Sequence, residues 1–232
     1  MKKYELTGET KEIGCRILHR IRALIDIPVH DVKAGDLGGW IEAEKNLSQK
    51  GAAWVTDSAV VMDAACVTGD ARVMDSARVT GLSMVAGNAL VMGNARVMGM
   101  ARVTDSARVT DEALVTGAAL VTGEALVTGE ARVMGLALVT DSARVTGSAL
   151  VTDSADYIAI GAIGSRDDTT TFYRGKDGKI YVSCGCFNGS IDDFAVKVKE
   201  VHAGTKHERT YLLAIELAKA QIGTDGKESK GV

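Results

Sequence analysis

The sequence predicts an all-β solenoid: a parallel β-helix of short strands coiled about one axis, with a small domain at each end. The first observation is a repeat, because seventeen hexapeptides follow one another without interruption over residues 51–152. Most read Gly/Asp-x-Ala-Arg/Leu-Val-Thr/Met, as residues 105–110 and 123–128 do. A short fixed period with a small and a β-branched residue in each unit is typical of a β-solenoid. The second observation is a longer period: every third hexapeptide, which means every 18 residues, has unusually apolar residues at its outward positions.

Each hexapeptide is expected to contain one short strand and one corner. Side chains alternate across a strand, so the Ala and Val of each unit should face inward and its Arg/Leu and Thr/Met outward. The residue at the corner is Gly or Asp in all seventeen units. Both types tolerate the positive φ of a sharp corner, glycine freely and aspartate through local hydrogen bonds.

The 18-residue period predicts three hexapeptides per coil. The second residue of the hexapeptide is large and apolar at only three places, Leu82, Met100 and Leu136, which are 18 and 36 residues apart. The fourth, outward residue in the same set of hexapeptides is also mostly apolar. Three strands per coil gather this set on one flat face, whereas two would scatter it. We therefore expect a three-sided rod.

The repeat resembles that of the left-handed β-helix hexapeptide superfamily over residues 51–152. The left hand of the coil is implied by this resemblance alone. Residues 31–55 resemble the opening of a group of bacterial and phage-borne hexapeptide-repeat proteins of unknown function, and residues 177–200 resemble a module attached to phage-borne members. The resemblance implies a phage-encoded accessory protein, with counter-defence in a host cytoplasm as a role.

Residues 1–50 are predicted to form an N-terminal β cap, because the end of a β-helix exposes unpaired backbone groups and an open core. Residues 15–27 are apolar enough for one or two strands. Gly38-Gly39 is expected to make a tight turn before Trp40, which would plug the core. Trp54, at an outward position of the first coil, is expected to lie under the cap.

Residues 153–222 are predicted to form a small α+β domain. Strands are expected over residues 157–163, 169–175 and 179–187, followed by helices that begin after Ser190 and Thr205, each with an acidic residue three positions later. The expected order is β-β-β-α-α. Residues 223–232 are polar and glycine-rich and are predicted to be a flexible tail.

Composition excludes several classes of protein. The net charge of −3 gives no basic field that would recruit nucleic acid or a membrane. No stretch has the apolar length of a transmembrane helix, and no signal peptide is recognised. Four scattered cysteines do not make a disulfide framework. A cytoplasmic protein is expected.

The repeat block lacks the residues that catalysis on this fold uses. The best-known activity of the superfamily, acyl transfer, depends on an imidazole base, and no His lies between His30 and His202. An acyltransferase with an Asp or Glu base remains an alternative. Cys184 and Cys186 suggest a metal or redox site that His202 or His207 would complete, but two small packed strand residues are the preferred interpretation. We expect no catalytic residue, cofactor or metal.

The strongest functional feature is an outward patch that is costly to leave in water. Either the C-terminal helices or a second copy of the chain would cover it, as a dimer or a trimer, and self-association is favoured. The other faces carry Arg78, Arg96, Arg108, Arg132 and Arg144 among acids, which favours a solvated surface. The patch, here called the apolar face, comprises Ala64, Cys66, Leu82, Met84, Met100, Arg102, Ala118, Leu120, Leu136 and Leu138.

Together these features predict a non-enzymatic oligomeric scaffold. The rod would hold subunits together and display the C-terminal domains to a macromolecular partner, for which nucleic acid is disfavoured. A second alternative is a protein that sequesters small molecules or nucleotides in clefts between protomers, with arginines as ligands.

Overall fold

A computed structural model describes residues 2–223 of the chain. A β cap, a rod of stacked parallel coils and an α+β domain follow one another. The cap contains β1 (Tyr4–Ile13), β2 (Arg16–Ala23) and β3 (Leu37–Ile41), with 3₁₀ turns at Pro28–His30 and Glu44–Asn46. Among the helices described, none is long and apolar enough to cross a membrane.

The rod is built from seventeen two-residue strands, one in each hexapeptide. Its coils form a parallel solenoid of about six turns. In chain order the strands are β4 (Trp54–Val55), β5 (Val60–Val61), β6 (Cys66–Val67), β7 (Arg72–Val73), β8 (Arg78–Val79), β9 (Met84–Val85), β10 (Leu90–Val91), β11 (Arg96–Val97), β12 (Arg102–Val103), β13 (Arg108–Val109), β14 (Leu114–Val115), β15 (Leu120–Val121), β16 (Leu126–Val127), β17 (Arg132–Val133), β18 (Leu138–Val139), β19 (Arg144–Val145) and β20 (Leu150–Val151).

Each strand pairs in parallel with the strand three places along the chain, which confirms three hexapeptides per coil. The rod therefore has three faces. The arginine face consists of β5, β8, β11, β14, β17 and β20, and the cap strands β1 to β3 extend its sheet. The mixed face consists of β4, β7, β10, β13, β16 and β19. The third sheet, β6, β9, β12, β15 and β18, carries the apolar face.

The interior of the rod is made of alanine and valine, as the alternation predicts. These inward side chains are buried in every coil. Ser83 replaces alanine at one inward position, and its hydroxyl donates to the Thr80 carbonyl at 2.8 Å. Because that hydrogen bond satisfies the buried hydroxyl, the substitution does not leave an unpaired polar group in the core.

The corners have the conformation expected from their residues: all seventeen corner residues have positive φ. The aspartates also hold the next coil. The carboxylate of Asp75 accepts the N–H of Gly93 at 2.9 Å, and that of Asp111 accepts the N–H of Gly129 at 3.1 Å. An aspartate corner therefore satisfies a backbone donor one coil further along the rod.

The cap closes the first coil differently from the expectation in two respects. Gly38 and Gly39 lie within β3, not in a turn, and a Cβ on Gly39 would come within 2.8 Å of the Ala59 carbonyl oxygen. Trp40 does not plug the core: it is half-buried on the outside of the sheet, under Lys11 and Arg20. The core end is instead closed by the fully buried side chains of Ile21, Ile41 and Leu47.

Trp54 lies under the cap, as predicted. It is 1% exposed and packs edge-on against Tyr4, with ring centroids 6.4 Å apart. Tyr4 belongs to β1, a strand that the apolar pattern did not reveal, because half of that strand is a solvent-exposed hairpin arm.

Lys3 is buried beside the first coil, where its ammonium donates to the Ala53 carbonyl at 2.7 Å. Burial lowers its pKa from 10.5 to about 8, against a smaller opposing effect of Asp70. Between those two pH values the unfolded chain binds the proton and the folded chain does not, so stability rises with pH. We expect the wild type to gain about 1.4 kcal/mol of unfolding free energy per pH unit relative to Lys3→Met in this window. Urea unfolding of both proteins from pH 7 to 10.5 checks this, and a difference that does not change with pH would contradict it.

The C-terminal domain has four antiparallel strands, β21 (Tyr157–Ile163), β22 (Asp168–Arg174), β23 (Ile180–Cys184) and β24 (Phe187–Ser190), in that order. A 3₁₀ turn, Ser154–Asp156, connects them to the rod, and α1 (Ile191–His202) and α2 (Lys206–Ile222) follow.

Sequence reasoning found the helices and missed one strand. The hydroxyls of Ser190 and Thr205 cap α1 and α2 by accepting the N–H groups of Asp193 and Glu208. The expected long third strand is two strands, because Gly185 has φ +55° and reverses the chain between Cys184 and Cys186.

The domain docks on the last coil of the rod. The Tyr173 hydroxyl lies 2.8 Å from the Thr146 hydroxyl and donates to the Asn188 side chain at 3.0 Å. At the far end of α2, the Gly223 carbonyl accepts from the Arg174 side chain. Gly223 opens the segment predicted to be a flexible tail, and its remaining residues, 224–232, lie outside the described part of the chain.

Candidate self-association face

The apolar face is formed by two parallel columns of side chains. The strand column is Cys66, Met84, Arg102, Leu120 and Leu138, and each member is in register with the next. The corner column lies beside it and consists of Ala64, Leu82, Met100, Ala118 and Leu136. Each member of this column follows the Gly or Asp of its corner. The backbone N–H of every member before Leu136 donates to the carbonyl of the corner glycine one coil further along, which keeps the column in line with the strands.

Four large side chains of this face are exposed to solvent, whereas Met84 and Leu120 are half-buried. Leu82 is 65% exposed, Met100 58%, Leu136 78% and Leu138 39%. The C-terminal helices do not cover them, because α1 and α2 pack on β21 to β24 and on the 3₁₀ turn before them. Of the two covers considered from the sequence, the one supplied by the C-terminal helices is therefore wrong for residues 2–223.

Charge is almost absent from the apolar face. None of its ten residues is acidic, and Arg102 is its one cation. Within the described chain, no carboxylate lies within ion-pair distance of Arg102, which is exposed at the centre of the strand column. Burial raises the pKa of the Cys66 thiol, so this cysteine is a neutral side chain at physiological pH.

The other faces differ at the same positions of the hexapeptide. Their corner columns contain Glu112, Glu124 and Glu130, where the apolar face has leucine, methionine or alanine. Glutamate is thus compatible with the coil at this position, and its absence from one face is not imposed by the fold. The apolar face differs from its neighbours in surface chemistry and not in backbone geometry.

Two corner carboxylates, those of Asp105 and Asp111, are poorly suited to act as a base in place of histidine. A hydrogen bond from the Thr122 hydroxyl, with a second from the Gly123 N–H, holds the pKa of Asp105 below its usual value. Thr128 and Gly129 do the same for Asp111. A carboxylate whose pKa is lowered is a weaker base, whereas base catalysis near neutral pH needs one whose pKa is raised.

The Cys and His residues of the C-terminal domain do not come together as a metal centre. No group of three or more His, Cys, Asp or Glu side chains with metal-binding geometry occurs in residues 2–223. The Cys184 thiol accepts a hydrogen bond from Thr170 and lies 3.6 Å from the Tyr211 hydroxyl. The rings of His202 and His207 pack edge to face, with centroids 5.8 Å apart.

A cavity of about 410 Å³ in the C-terminal domain was not found from the sequence. Its lining includes the aromatic side chains of Phe187, Phe194 and Tyr211 and the basic side chains of Arg166 and Lys197. Burial, and then the Cys184 thiol, raises the pKa of Tyr211 to about 12, so its hydroxyl stays protonated. The cavity joins β23, β24 and both helices, and no local pattern reports such a meeting.

No protein-family model matches this chain. No curated protein is significantly similar to it in sequence either. The parallel solenoid is established by its strand pairing, whereas membership of the hexapeptide-repeat superfamily stays a prediction.

Proposed function

We propose that this protein is a non-enzymatic oligomeric scaffold, in which the apolar face binds a second copy of the chain. The observation that carries the proposal is the uncovered wall of Leu82, Met100, Leu136 and Leu138. Burying one such side chain fully contributes about 1.5–3 kcal/mol. Self-association buries these side chains on both copies, and their combined gain opposes the translational and rotational freedom lost on association.

A second copy is the occupant that fits this surface best. The face is flat and follows five stacked strands, which span about 20–25 Å at the usual strand spacing. A rigid flat surface is best matched by another surface of the same length and flatness, and every copy of the chain carries one. A closed dimer joins such a patch to its own copy, whereas a closed trimer joins it to a different surface of the neighbouring copy.

The arrangement leaves the C-terminal domains free. They dock on β19 and β20, which belong to the other two faces, at the end of the rod. Their helices expose Val196, Val201, Leu213 and Leu217, between 50% and 62% each. In the proposed assembly these surfaces bind a macromolecular partner, as a phage-encoded accessory or counter-defence protein would require.

The mass of the protein in solution tests the self-association. We expect the wild type to have a multiple of the 24.3 kDa chain mass, and Leu82→Glu with Leu136→Glu to have the monomer mass. The reason is that paired carboxylates in an apolar interface lose hydration without gaining a partner. Light scattering coupled to size-exclusion chromatography measures both.

The control is Ser106→Glu with Ser142→Glu, which places glutamate at the same hexapeptide position on the mixed face. This variant should keep the mass of the wild type. A monomeric wild type at about 100 μM, where a micromolar complex is assembled, would refute the proposal. Equal dissociation of both double variants would refute it as well.

A further inference from the structure

The arginine face contains a groove of about 490 Å³ that runs along the rod. Its walls are formed by strand and corner residues of successive coils. The hairpin between β22 and β23 closes one end, because the Lys176 N–H donates to the Ser148 carbonyl at 3.0 Å and its ammonium lies 3.1 Å from a Glu130 carboxylate oxygen. The groove is thus shaped by the rod and the C-terminal domain together.

Arg78 and Arg96 stand directly opposite each other on neighbouring strands in this groove. Every other arginine at the outward strand position of the described coils has only apolar residues in register on the neighbouring strands. Arg108, for example, lies between Leu90 and Leu126. Like charges placed directly opposite each other in a sheet repel. The pair is therefore a departure from the repeat that costs stability in the free protein.

The arginine pair has no ion-pair partner within residues 2–223. Neither guanidinium makes an ion pair or a hydrogen bond to a described residue, and both side chains are exposed. Ser76 and Asn94 precede the two arginines at the corners and line the same end of the groove. Two planar cations and two neutral hydrogen-bonding side chains therefore converge on one space.

We propose that Arg78 and Arg96 bind the phosphate group of a small ligand. Guanidinium groups donate parallel hydrogen bonds to phosphate oxygens, and one phosphate can bridge two of them at the spacing of adjacent strands. The site lies within one chain and away from the apolar face, so it does not depend on self-association. The sequestering protein described as an alternative under Sequence analysis would instead bind its ligand in clefts between protomers.

The rest of the groove limits the size of the ligand. Glu112 and Glu130 line it beyond the arginine pair, so a long polyanion such as a nucleic-acid strand would meet two carboxylates. Leu114, in register between Arg96 and Arg132, offers an apolar surface. A fitting ligand therefore has one phosphate at the arginine pair and an uncharged body beyond it, with hydrogen-bond donors that the two glutamates accept. A compact phosphate monoester such as a nucleoside monophosphate has these properties.

Calorimetric titration of the full-length protein tests the site, with AMP, adenosine, inorganic phosphate and a ten-nucleotide oligo(dT) as probes. We expect AMP and phosphate to bind and adenosine not to bind. Arg96→Leu should weaken AMP binding by about tenfold or more, because it removes a charge-assisted hydrogen-bonding pair. Leucine is native at this hexapeptide position, so the coil should remain folded.

The control is Arg108→Leu on the mixed face, which should bind AMP as the wild type does. The proposal is overturned if neither AMP nor phosphate binds at about 10 mM, if adenosine binds as tightly as AMP, or if Arg108→Leu loses as much affinity as Arg96→Leu. Tighter binding of the oligonucleotide than of AMP, with the same dependence on Arg96, would assign the groove to nucleic acid instead.

Discussion

Gly129→Val is expected to lower the free energy of unfolding by about 2–5 kcal/mol, from backbone strain and overpacking together. Gly129 has φ +71°, and a Cβ there would lie 3.0–3.2 Å from the N, Cα and O atoms of Gly147 in the next coil. A β-branched side chain is a poor fit to positive φ. Each coil is stabilised by its contacts with the coils before and after it. A strained corner therefore weakens the stacking of both neighbouring coils. Urea unfolding followed by far-ultraviolet circular dichroism measures the loss.

Two matched variants separate the causes. Gly129→Asp should stay within about 1 kcal/mol of the wild type, since Asp111 occupies the same corner one coil earlier with φ +59° and accepts the next N–H. Gly147→Val should lose only about 1–2 kcal/mol, because φ is +60° there but no atom lies within 4 Å of the new Cβ. If Gly129→Asp were as unstable as Gly129→Val, the Cβ alone would account for the loss, and the cost assigned here to the β-branched side chain at positive φ would be wrong.

Arg174→Leu is expected to destabilise the C-terminal domain by about 3–5 kcal/mol, the usual effect of breaking a buried ion pair. The Arg174 guanidinium lies 3.0 Å from the Asp156 carboxylate, and Asp156 is 2% exposed. The same guanidinium donates to the carbonyls of Ile222 and Gly223 at the end of α2. The substitution therefore removes the cation that joins β22, the connection to the rod and the last turn of α2.

Two spectroscopic probes locate this effect. The two tryptophans, Trp40 and Trp54, report on the cap and the first coil, whereas ellipticity at 222 nm reports mainly on α1 and α2. Arg174→Leu should shift the ellipticity transition to lower urea concentration and leave the fluorescence transition nearly unchanged. Arg166→Leu, an exposed arginine of the same domain, should shift neither. Equal shifts of the ellipticity transition in Arg174→Leu and Arg166→Leu would show that the ion pair and hydrogen bonds of Arg174 do not stabilise the domain more than an exposed arginine does.

The candidate self-association face could be read from the sequence because a solenoid converts spacing into position. Residues 18 apart lie in one column when three hexapeptides make a coil, so Leu82, Met100 and Leu136 had to share a face once that number was known. Their exposure did not follow in the same way. It depended on where the C-terminal domain docks, and no repeat specifies that.

The cap shows where local reasoning fails. Gly38 and Gly39 look like a turn, since glycine pairs commonly make turns, yet they are needed because β3 lies directly on the backbone of the first coil. Trp40 looks like a plug because it is large and apolar, but its place in β3 directs it outward, where Lys11 and Arg20 cover it. In both cases a contact distant in sequence overrode a local preference.

The sequence by itself determined the rod: its strands, its positive-φ corners, its alanine and valine interior and its three faces, because each follows from a short period imposed on a chain with fixed alternation. Tertiary structure alone decided how the cap and the C-terminal domain pack on the rod and which groove and cavity result. The groove that contains Arg78 and Arg96 is closed at its far end by the β22–β23 hairpin, and the cavity around Tyr211 forms where two helices and a sheet meet. Such features depend on packing between segments that are far apart in the chain, and periodicity carries information only about neighbours at a fixed separation.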